Sequence, residues 1–452
     1  MPSTAFNQDN VNQFAAGCVA HQAELFAAYR QFVSSFQAAA VVPSNSCLVM
    51  LGDEQASLLA MSPSLDNPNM GPRQMMLVSN MTISGGKNTF GTVKVAYRIY
   101  EHSEQVFIIA FHQPVALKIV GGKLPNSLAR LNIYQRDDVK HDIYKQHKLA
   151  FIRPEIELVK IYHQYLGCHP WFSANEAECL LYYTMPLMRG VSLYDYAGDR
   201  FCEAVDICTL RDRLFLLRAI VREMRLFQIR TRCAHNDLNL NNIFVYQNPT
   251  TGEYTVRLID YDMCKPFGQQ GNLKDGTRIY YAPERMAVGQ PAFKHSAEND
   301  VYSFGVFMAW LLADVDLHSC AVHYDIYFNG ADNIDLDDAI AQFSRLADPN
   351  VYSDRYGLSL GSGEQAITLA KALAELVSRS VAEAISKPRL PVQIPPTDET
   401  RRLTIDEVID RMDKLLISLP RLGRAEGPFV DKSAPVCQSK PSHAPLTISR
   451  QA

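Results

Sequence analysis

The stretch that decides the fold is His235-Asn236-Asp237-Leu238-Asn239-Leu240-Asn241-Asn242, and an apolar Ile-Phe-Val follows it at 243–245. Four further segments follow in order along the chain. They are Asp260-Tyr261-Asp262 at the end of an apolar run, Gly276-Thr277-Arg278-Ile279-Tyr280-Tyr281-Ala282-Pro283-Glu284, Asp300-Val301-Tyr302-Ser303-Phe304-Gly305 and Arg402-Leu403-Thr404. Any one of these short patterns can arise by chance, but chance does not explain the ordered set.

Two segments nearer the N-terminus belong to the same series. The turn Gly86-Lys87-Asn88-Thr89-Phe90-Gly91-Thr92-Val93 has glycines where backbone N–H groups can approach a phosphate closely. Val115-Ala116-Leu117-Lys118 then places a lysine in an apolar strand. Alone, such a turn is more often a hairpin and such a lysine a surface residue, so both interpretations depend on their context.

Together these segments resemble the eukaryotic-like protein kinase superfamily, of the Ser/Thr type. The resemblance implies that ATP is the phosphoryl donor and that Asp237 is the catalytic carboxylate beside the attacking hydroxyl group. It also implies that Asn242 and Asp260 hold Mg²⁺ or Mn²⁺.

The resemblance further implies how ATP is held. Lys118 reaches the α- and β-phosphates. Tyr-Tyr-Thr-Met-Pro-Leu-Met at 182–188 is similar to the hinge that binds adenine, with Met185 as the gatekeeper. Pro186 offers only a carbonyl there, which is all that the first hinge position needs. The predicted nucleotide contacts are Gly86, Gly91, Val93, Lys118, Pro186 and Met188.

In this family a glutamate on the next helix holds the lysine in place. Glu155 is the predicted partner of Lys118, because apolar Leu158 and Val159 follow it by one turn. Glu157 is the alternative, since Pro154 predicts a helix that starts near Glu155.

The remaining segments resemble the platform that binds a protein substrate. The resemblance implies that Thr277 contacts the catalytic carboxylate, as in Ser/Thr kinases, and that Asp300 ties down the backbone of the catalytic loop. It also implies a buried ion pair between Glu284 and Arg402, with Arg401 as the second choice.

The chain departs from the family pattern at three positions. Asn236 replaces the arginine that usually grips a phosphate on the activation segment, so we expect activity without that phosphate. Asn239 replaces the lysine found in Ser/Thr kinases, and Asp262 replaces a glycine.

Two other functions share part of the pattern. Choline and aminoglycoside kinases have a similar catalytic loop but lack the segments around Glu284, Asp300 and Arg402, which favour a protein kinase. A pseudokinase scaffold is the non-enzyme alternative, and the presence of Lys118 and Asp237 counts against it. The divergence also resembles kinases that intracellular bacteria inject into host cells, which would place the protein in a host cytosol.

Strand patterns come before helical ones, which predicts an α+β, bilobal kinase-like fold. Residues 1–73 are predicted to be an N-terminal helical extension and linker, with one amphipathic helix over about 9–40 and a connection over 45–73. The helix docks either on the kinase lobe or on a partner. Residues 74–187 are the predicted β-rich N-lobe, 188–420 the larger helical C-lobe and 421–452 a disordered tail.

The composition is that of an ordinary globular protein, with 47% hydrophobic and 20% charged residues. A net charge of −4 indicates no nucleic-acid surface, and no apolar run is long enough to span a membrane. The ten cysteines form no CxxC pair, and the N-terminal residues show no signal-peptide pattern. We therefore expect a cytoplasmic protein whose partners are its protein substrates.

Overall fold

The chain divides into two units, one formed by Met1–Met188 with Pro428–Ala452 and the other by Arg189–Gly427. These are unit 1 and unit 2 below. The computed structural model describes residues 8–38, 46–66, 72–84, 91–103, 106–120, 137–164, 169–175, 180–201, 210–271, 277, 280–282, 293–313, 364–380, 401–419 and 446–449. No helix within these ranges is long and apolar enough to cross a membrane.

Unit 1 is built on an antiparallel sheet, which has nine strands in the part of the chain that the structure describes. Seven of them follow the order β1-β2-β3-β4-β6-β8-β7, while β5 pairs with β4 and β14. The strands are β1 (Ser46–Leu51), β2 (Glu54–Met61), β3 (Gln74–Ser84), β4 (Thr92–Ser103), β5 (Val106–Ile109), β6 (Val115–Val120), β7 (Phe172–Asn175), β8 (Leu180–Pro186) and β14 (Leu446–Ser449).

Two helices, α1 (Gln8–Ala20) and α2 (Gln22–Ala38), pack on this sheet. The sequence predicts one helix here, and the structure has two that meet at His21. Their apolar stripe joins the core residues of β1 to β5, with Phe14 stacked on Tyr97 at 5.7 Å between ring centroids. Because side chains alternate along a strand, Leu58 faces this cluster whereas Leu59 joins a separate cluster.

The predicted connection over 45–73 is wrong for most of its length. Residues 46–51 and 54–61 form a hairpin, β1 and β2, which continues the sheet through β3. The Ser-, Pro- and Met-rich composition hides an alternation in which Val49 and Leu51 are buried while Leu48 and Met50 are exposed. The predicted domain boundary at 73/74 therefore falls within one continuous sheet.

The predicted disorder of 421–452 is also wrong at one point. Residues 446–449 form β14, which pairs antiparallel with β5 from Leu446 opposite Ile109 to Ser449 opposite Val106. Leu-Thr-Ile-Ser is short, but Thr and Ile are β-branched and favour extended backbone. A polar, Pro-rich setting concealed this segment in the sequence.

A further described helix of unit 1, α3 (Asp137–His163), contains Pro154 in its interior. The prediction that a helix starts at this proline is therefore wrong. Proline is favoured at a helix start, but it is tolerated inside a helix when packing offsets a cost of about 3 kcal/mol. The packing here comes from buried Ile152, Ile156, Val159 and Tyr162.

Unit 2 is mainly helical and carries two small sheets. One has the order β12-β11-β9, and the other pairs β10 with β13. Its elements are β9 (Val191–Ser192), α4 (Leu193–Phe201), α5 (Leu210–Thr231), β10 (Cys233–Ala234), a 3₁₀ turn (Leu240–Asn242), β11 (Ile243–Gln247), β12 (Tyr254–Leu258), β13 (Lys265–Pro266), α6 (Ala297–Ala313), α7 (Glu364–Ser380) and α8 (Ile405–Ser418).

Helix α5 forms the centre of unit 2, with Leu214, Leu217, Val221 and Phe227 fully buried. Helix α8 packs beside it and begins with a capping box between Thr404 and Glu407. A hydrogen bond from Arg401 is the main reason that the pKa of Glu407 falls to about 2. The catalytic-loop sequence lies between β10 and β11, so the packing of this unit determines where its polar residues point.

Candidate active site

Unit 1 holds the predicted lysine in a buried ion pair. Lys118 lies on β6, a strand between β4 and β8, and its Nζ is 2.5 Å from Oε1 of Glu155 on α3. The two side chains are 11% and 6% exposed. A buried ammonium and carboxylate stay charged only when each has a partner, so this pair fixes the direction of the lysine.

The alternative partner, Glu157, does not contact Lys118. Its carboxylate is 2.9 Å from Nζ of Lys160 one turn along α3, where both side chains are about half exposed or less. Glu155 and Glu157 lie 200° apart around a helix, so only one of them can face the sheet. The structure places Glu155 there.

Besides Lys118, three predicted nucleotide contacts lie near the ends of strands in unit 1, Gly91 and Val93 at the start of β4 and Pro186 at the end of β8. Gly91 directly precedes β4, and a Cβ atom there would be 2.7 Å from the carbonyl oxygen of Ile119, so this position requires glycine. Val93 pairs with Lys118 across the sheet, while Pro186 ends β8 and is followed closely by Met188. Gly86 lies outside the described residues.

Unit 2 holds the predicted catalytic carboxylate by three hydrogen-bond donors. Oδ1 of Asp237 accepts from the backbone N–H of Thr277 at 2.7 Å and from its hydroxyl at 2.6 Å. Oδ2 accepts from Nδ2 of Asn242 at 2.8 Å. Hydrogen bonds to an ionised acceptor are the stronger kind, so Asp237 is held in one orientation.

Asn239, which stands where Ser/Thr kinases have a lysine, joins the same group. Its Nδ2 donates to the carbonyl oxygen of Asp237 at 3.1 Å and to Oγ1 of Thr277 at 3.3 Å. Its Oδ1 accepts from the N–H of Asn241 at 2.9 Å and caps the 3₁₀ turn. A neutral amide thus connects Thr277 to the loop without bringing a positive charge.

The hydrogen bonds of Asn242, one of the residues predicted to hold a metal ion, leave its side-chain oxygen for a cation. Nδ2 of Asn242 donates both to the backbone and to the side chain of Asp237, at 2.9 and 2.8 Å. The amide orientation is therefore fixed, and Oδ1 is the atom left to bind a cation. Asp260 is linked to this residue through its neighbour, because the N–H of Ile259 donates to the carbonyl oxygen of Asn242 at 3.0 Å.

Asp260 has a left-handed backbone, with φ of 65°. This conformation is uncommon outside glycine, although aspartate tolerates it better than most residues. The next residue, Tyr261, is buried, stacks on Phe227 at 5.7 Å and meets the His235 ring at 5.9 Å. Burial of Tyr261 in this aromatic group holds the turn that carries Asp260.

Asp300, at the start of α6, accepts three hydrogen bonds. Oδ2 accepts from the N–H of His235 and from Nε2 of Gln228, both at 2.9 Å, and Oδ1 accepts from the N–H of Asn236 at 3.0 Å. Burial raises the pKa of the Asp300 carboxyl, although these donors and His235 oppose the rise. Asp300 thus contacts the catalytic-loop backbone directly.

Asn236 has a left-handed backbone, with φ of 62°, and is buried. Its Oδ1 is 2.9 Å from Nδ1 of His295, and Nδ2 donates to the carbonyl oxygen of Met263 at 3.1 Å. The sequence does not single out His295, because 59 positions separate the two residues. The one local signal is that this histidine lies five residues before Asp300.

The predicted pair between Arg402 and Glu284 stays a prediction, because Glu284 lies outside the described residues. Arg402 is buried, donates to the carbonyl oxygen of Glu298 at 3.0 Å and lies over the ring of Tyr302 at 5.1 Å. Arg401, the second choice, pairs with the carboxylate of Glu407 in the first turn of α8.

Comparison with known families identifies a domain in the chain. Residues 139–383, just over half of the chain, match the model of the protein kinase domain. The matched range includes Glu155, Asp237, Asp260 and Asp300, whereas Lys118 precedes it and Arg402 follows it. No curated protein matches the chain.

Proposed function

The chain belongs to the protein kinase family, and we propose on this basis that it transfers the γ-phosphoryl group of ATP to serine and threonine hydroxyl groups of proteins, with Mg²⁺. The membership and the site geometry support different parts of this proposal. The membership supports phosphoryl transfer, and the arrangement around Asp237 supports the acceptor.

The observation that carries the proposal is the fixed carboxylate of Asp237. A hydroxyl group becomes a better nucleophile when a carboxylate accepts its proton, and the carboxylate must be aimed before the reaction. Thr277 and Asn242 occupy three of its acceptor positions. A carboxylate has about four such positions, so one is left for the substrate hydroxyl.

Lys118 serves the phosphate end of the reaction. An ammonium group that contacts the α- and β-phosphates offsets their charge and fixes the nucleotide. Because Glu155 holds Lys118 at 2.5 Å in a buried position, the lysine is positioned before ATP binds.

Asn242, through Oδ1, and Asp260, through its carboxylate, are the residues that would hold Mg²⁺. A bound Mg²⁺ ion neutralises charge on the phosphate oxygens. Among the described residues there is no cluster of three or more His, Cys, Asp or Glu side chains that could hold a metal by itself. Amide, carboxylate and phosphate oxygens together suit Mg²⁺, which rarely occupies an all-protein site.

Thr277 is the reason for proposing serine and threonine as acceptors. In Ser/Thr kinases a threonine at this position contacts the catalytic carboxylate, and here both the N–H and the hydroxyl of Thr277 bind Asp237. Asn239 provides the second contact to Thr277 in place of the usual lysine.

The test is transfer from γ-labelled ATP to a peptide array, followed by phosphoamino-acid analysis. Asp237→Asn preserves the shape of the side chain but removes the proton acceptor, so we expect a loss of at least about 100-fold in transfer. Asp406→Asn is the matched control, because this carboxylate is 68% exposed and pairs with Arg225 at the surface of unit 2.

Three results would overturn parts of the proposal. Undiminished transfer by Asp237→Asn refutes the catalytic assignment. Predominant phosphotyrosine, or turnover of choline or an aminoglycoside with none on protein, refutes the acceptor. Nucleotide binding without any transfer by the wild type identifies a pseudokinase scaffold.

A further inference from the structure

The amide of Asn236 has only one orientation that satisfies its surroundings. Its Nδ2 lies 3.3 Å from the carbonyl oxygen of Ala234 and 3.1 Å from that of Met263. Carbonyl oxygens only accept hydrogen bonds, so the nitrogen must face them. Oδ1 therefore faces Nδ1 of His295 at 2.9 Å, and Nδ1 must be the protonated, donating nitrogen of that ring.

His295 is held in place from the opposite side. It is 1% exposed, and its N–H donates to the carbonyl oxygen of Gln269 at 2.9 Å. The ring meets Phe293 edge-on at 4.8 Å. A Cβ atom at Gly271 would lie 2.1 Å from Cζ of Phe293 and 2.6 Å from Nε2 of His295, so glycine leaves room for both rings.

The contact joins the two acidic residues proposed to act in unit 2. Asn236 directly precedes Asp237. Its Nδ2 donates to the carbonyl oxygen of Met263, which lies three residues after Asp260. His295 belongs to a segment that hydrogen-bonds residues 268–271 through its backbone. The Asn236 side chain therefore links the catalytic loop, the turn that carries Asp260 and the segment before α6.

We propose that His295 is a positioning residue for phosphoryl transfer, acting through the hydrogen bond from its Nδ1–H to Asn236. This rests on the proposed function. The bond holds the loop of Asp237 in register with the turn of Asp260. Asn236 stands where related kinases have an arginine that binds a phosphate on the activation segment. The Asn236–His295 hydrogen bond replaces that contact and needs no phosphorylation.

Two substitutions separate the hydrogen bond from the packing. His295→Asn places a donor where Nδ1 lies but leaves space beyond it, whereas His295→Leu fills the space without a donor. We expect kcat to fall about 10- to 100-fold in His295→Leu and no more than about threefold in His295→Asn. The KM for ATP should stay within about twofold in both, because the loss is one of positioning in the reaction.

If His295 has a purely structural role, the opposite order of kcat is expected, with His295→Leu more active than His295→Asn. If His295→Leu keeps kcat as well as or better than His295→Asn, or if kcat follows thermal stability alone across the series, the proposal is wrong. Should His295→Leu fail to fold, His295→Asn is compared with His295→Gln, whose donor reaches the Nε2 position instead. The proposal requires that Asn be the better of these two, and equal or better activity in Gln overturns it.

Gly271→Ala gives an independent test from outside the pair. The added methyl group should displace the rings of Phe293 and His295 together and lower kcat about tenfold without raising the KM for ATP. Gly268→Ala is the control for backbone strain in the same segment, because alanine is strained at its φ of 81° but no atom lies within 4 Å of an added Cβ there. Equal kcat losses in the two variants would contradict the proposal. An inactive wild type refutes the proposed function, while an active wild type with normal His295 variants refutes only this inference.

Discussion

Replacing Glu155 by glutamine should destabilise unit 1 far more than the same change at Glu157. At an effective dielectric constant of about 20, charges 2.5 Å apart attract by about 7 kcal/mol, and desolvation cancels part of this. Removing one partner of a buried pair costs about 3–5 kcal/mol, because the other charge is left uncompensated. Lys118 would lose the carboxylate of Glu155. The Glu157–Lys160 pair is exposed, so its loss should cost only about 0.2–1 kcal/mol.

Fluorescence can report the unfolding of unit 1 by itself. The chain has two tryptophans, Trp171 in unit 1 and Trp310 in unit 2, so a Trp310→Phe background leaves the signal of Trp171. With a urea m-value of about 1–3 kcal/mol/M, Glu155→Gln should lower the unfolding midpoint by at least about 1 M. At the same m-value, Glu157→Gln should lower it by at most about a third as much.

A double variant tests whether the cost comes from the uncompensated charge. Lys118→Met combined with Glu155→Gln should be more stable than Glu155→Gln alone, because neither charge is left buried. Equal midpoints for the two glutamate variants would refute the assignment of Glu155. A double variant that is less stable than the single one would refute the electrostatic reasoning.

Three further predictions concern unit 2. Thr277→Val should lower kcat on a serine peptide about 10- to 100-fold by removing a hydrogen bond to Asp237, while Thr277→Ser should not; equal kcat values would contradict this. The raised pKa of Asp300 means that its contribution to stability is complete below the ordinary aspartate pKa of about 3.9 and is lost as the pH rises through the folded value. Urea unfolding over this window should therefore show a decline in wild-type stability that Asp300→Asn lacks, and parallel profiles would refute it. Phosphatase-treated protein should keep most of its activity because Asn236 offers no charge to a phosphate, and a large loss that rephosphorylation reverses would refute that view.

The part of the candidate site that could be predicted from the sequence consists of local patterns. Asp237 and Asn242 lie within one loop, so their spacing in the sequence already limits their spacing in space. Lys118 and Glu155 are further apart, but the strand and the helix each have a regular repeat that limits which residues can face each other. To predict such contacts, one needs to know whether each segment is a strand or a helix and which of its residues face the same side.

The contacts that could not be predicted are set by tertiary packing. His295 meets Asn236 only because the segment before α6 lies against the residues after β13, and no local repeat encodes this. Helix α3 continues through Pro154 because burial of its neighbours outweighs a local preference to begin there. Strand β1 escaped prediction because apolar Leu48 and Met50 lie on its exposed face, so its sequence lacks the apolar–polar alternation of a half-buried strand.

Strand β14 has a consequence for the order in which the protein is made. Unit 1 takes its strands from both sides of unit 2 in the sequence, since residues 446–449 are translated after all of Arg189–Gly427. At about 5–20 residues per second, a ribosome needs roughly 10–50 s to pass from one part to the other. During that interval the Val106–Ile109 edge has no partner from residues 446–449.

An unpaired strand edge is a template for other extended chains, including a neighbour on the same messenger RNA. The unpaired Val106–Ile109 edge is therefore a defined target for a nascent-chain chaperone, and it is exposed for a defined time. The exposure of this edge ends when Leu446–Ser449 leaves the ribosome tunnel and pairs with β5.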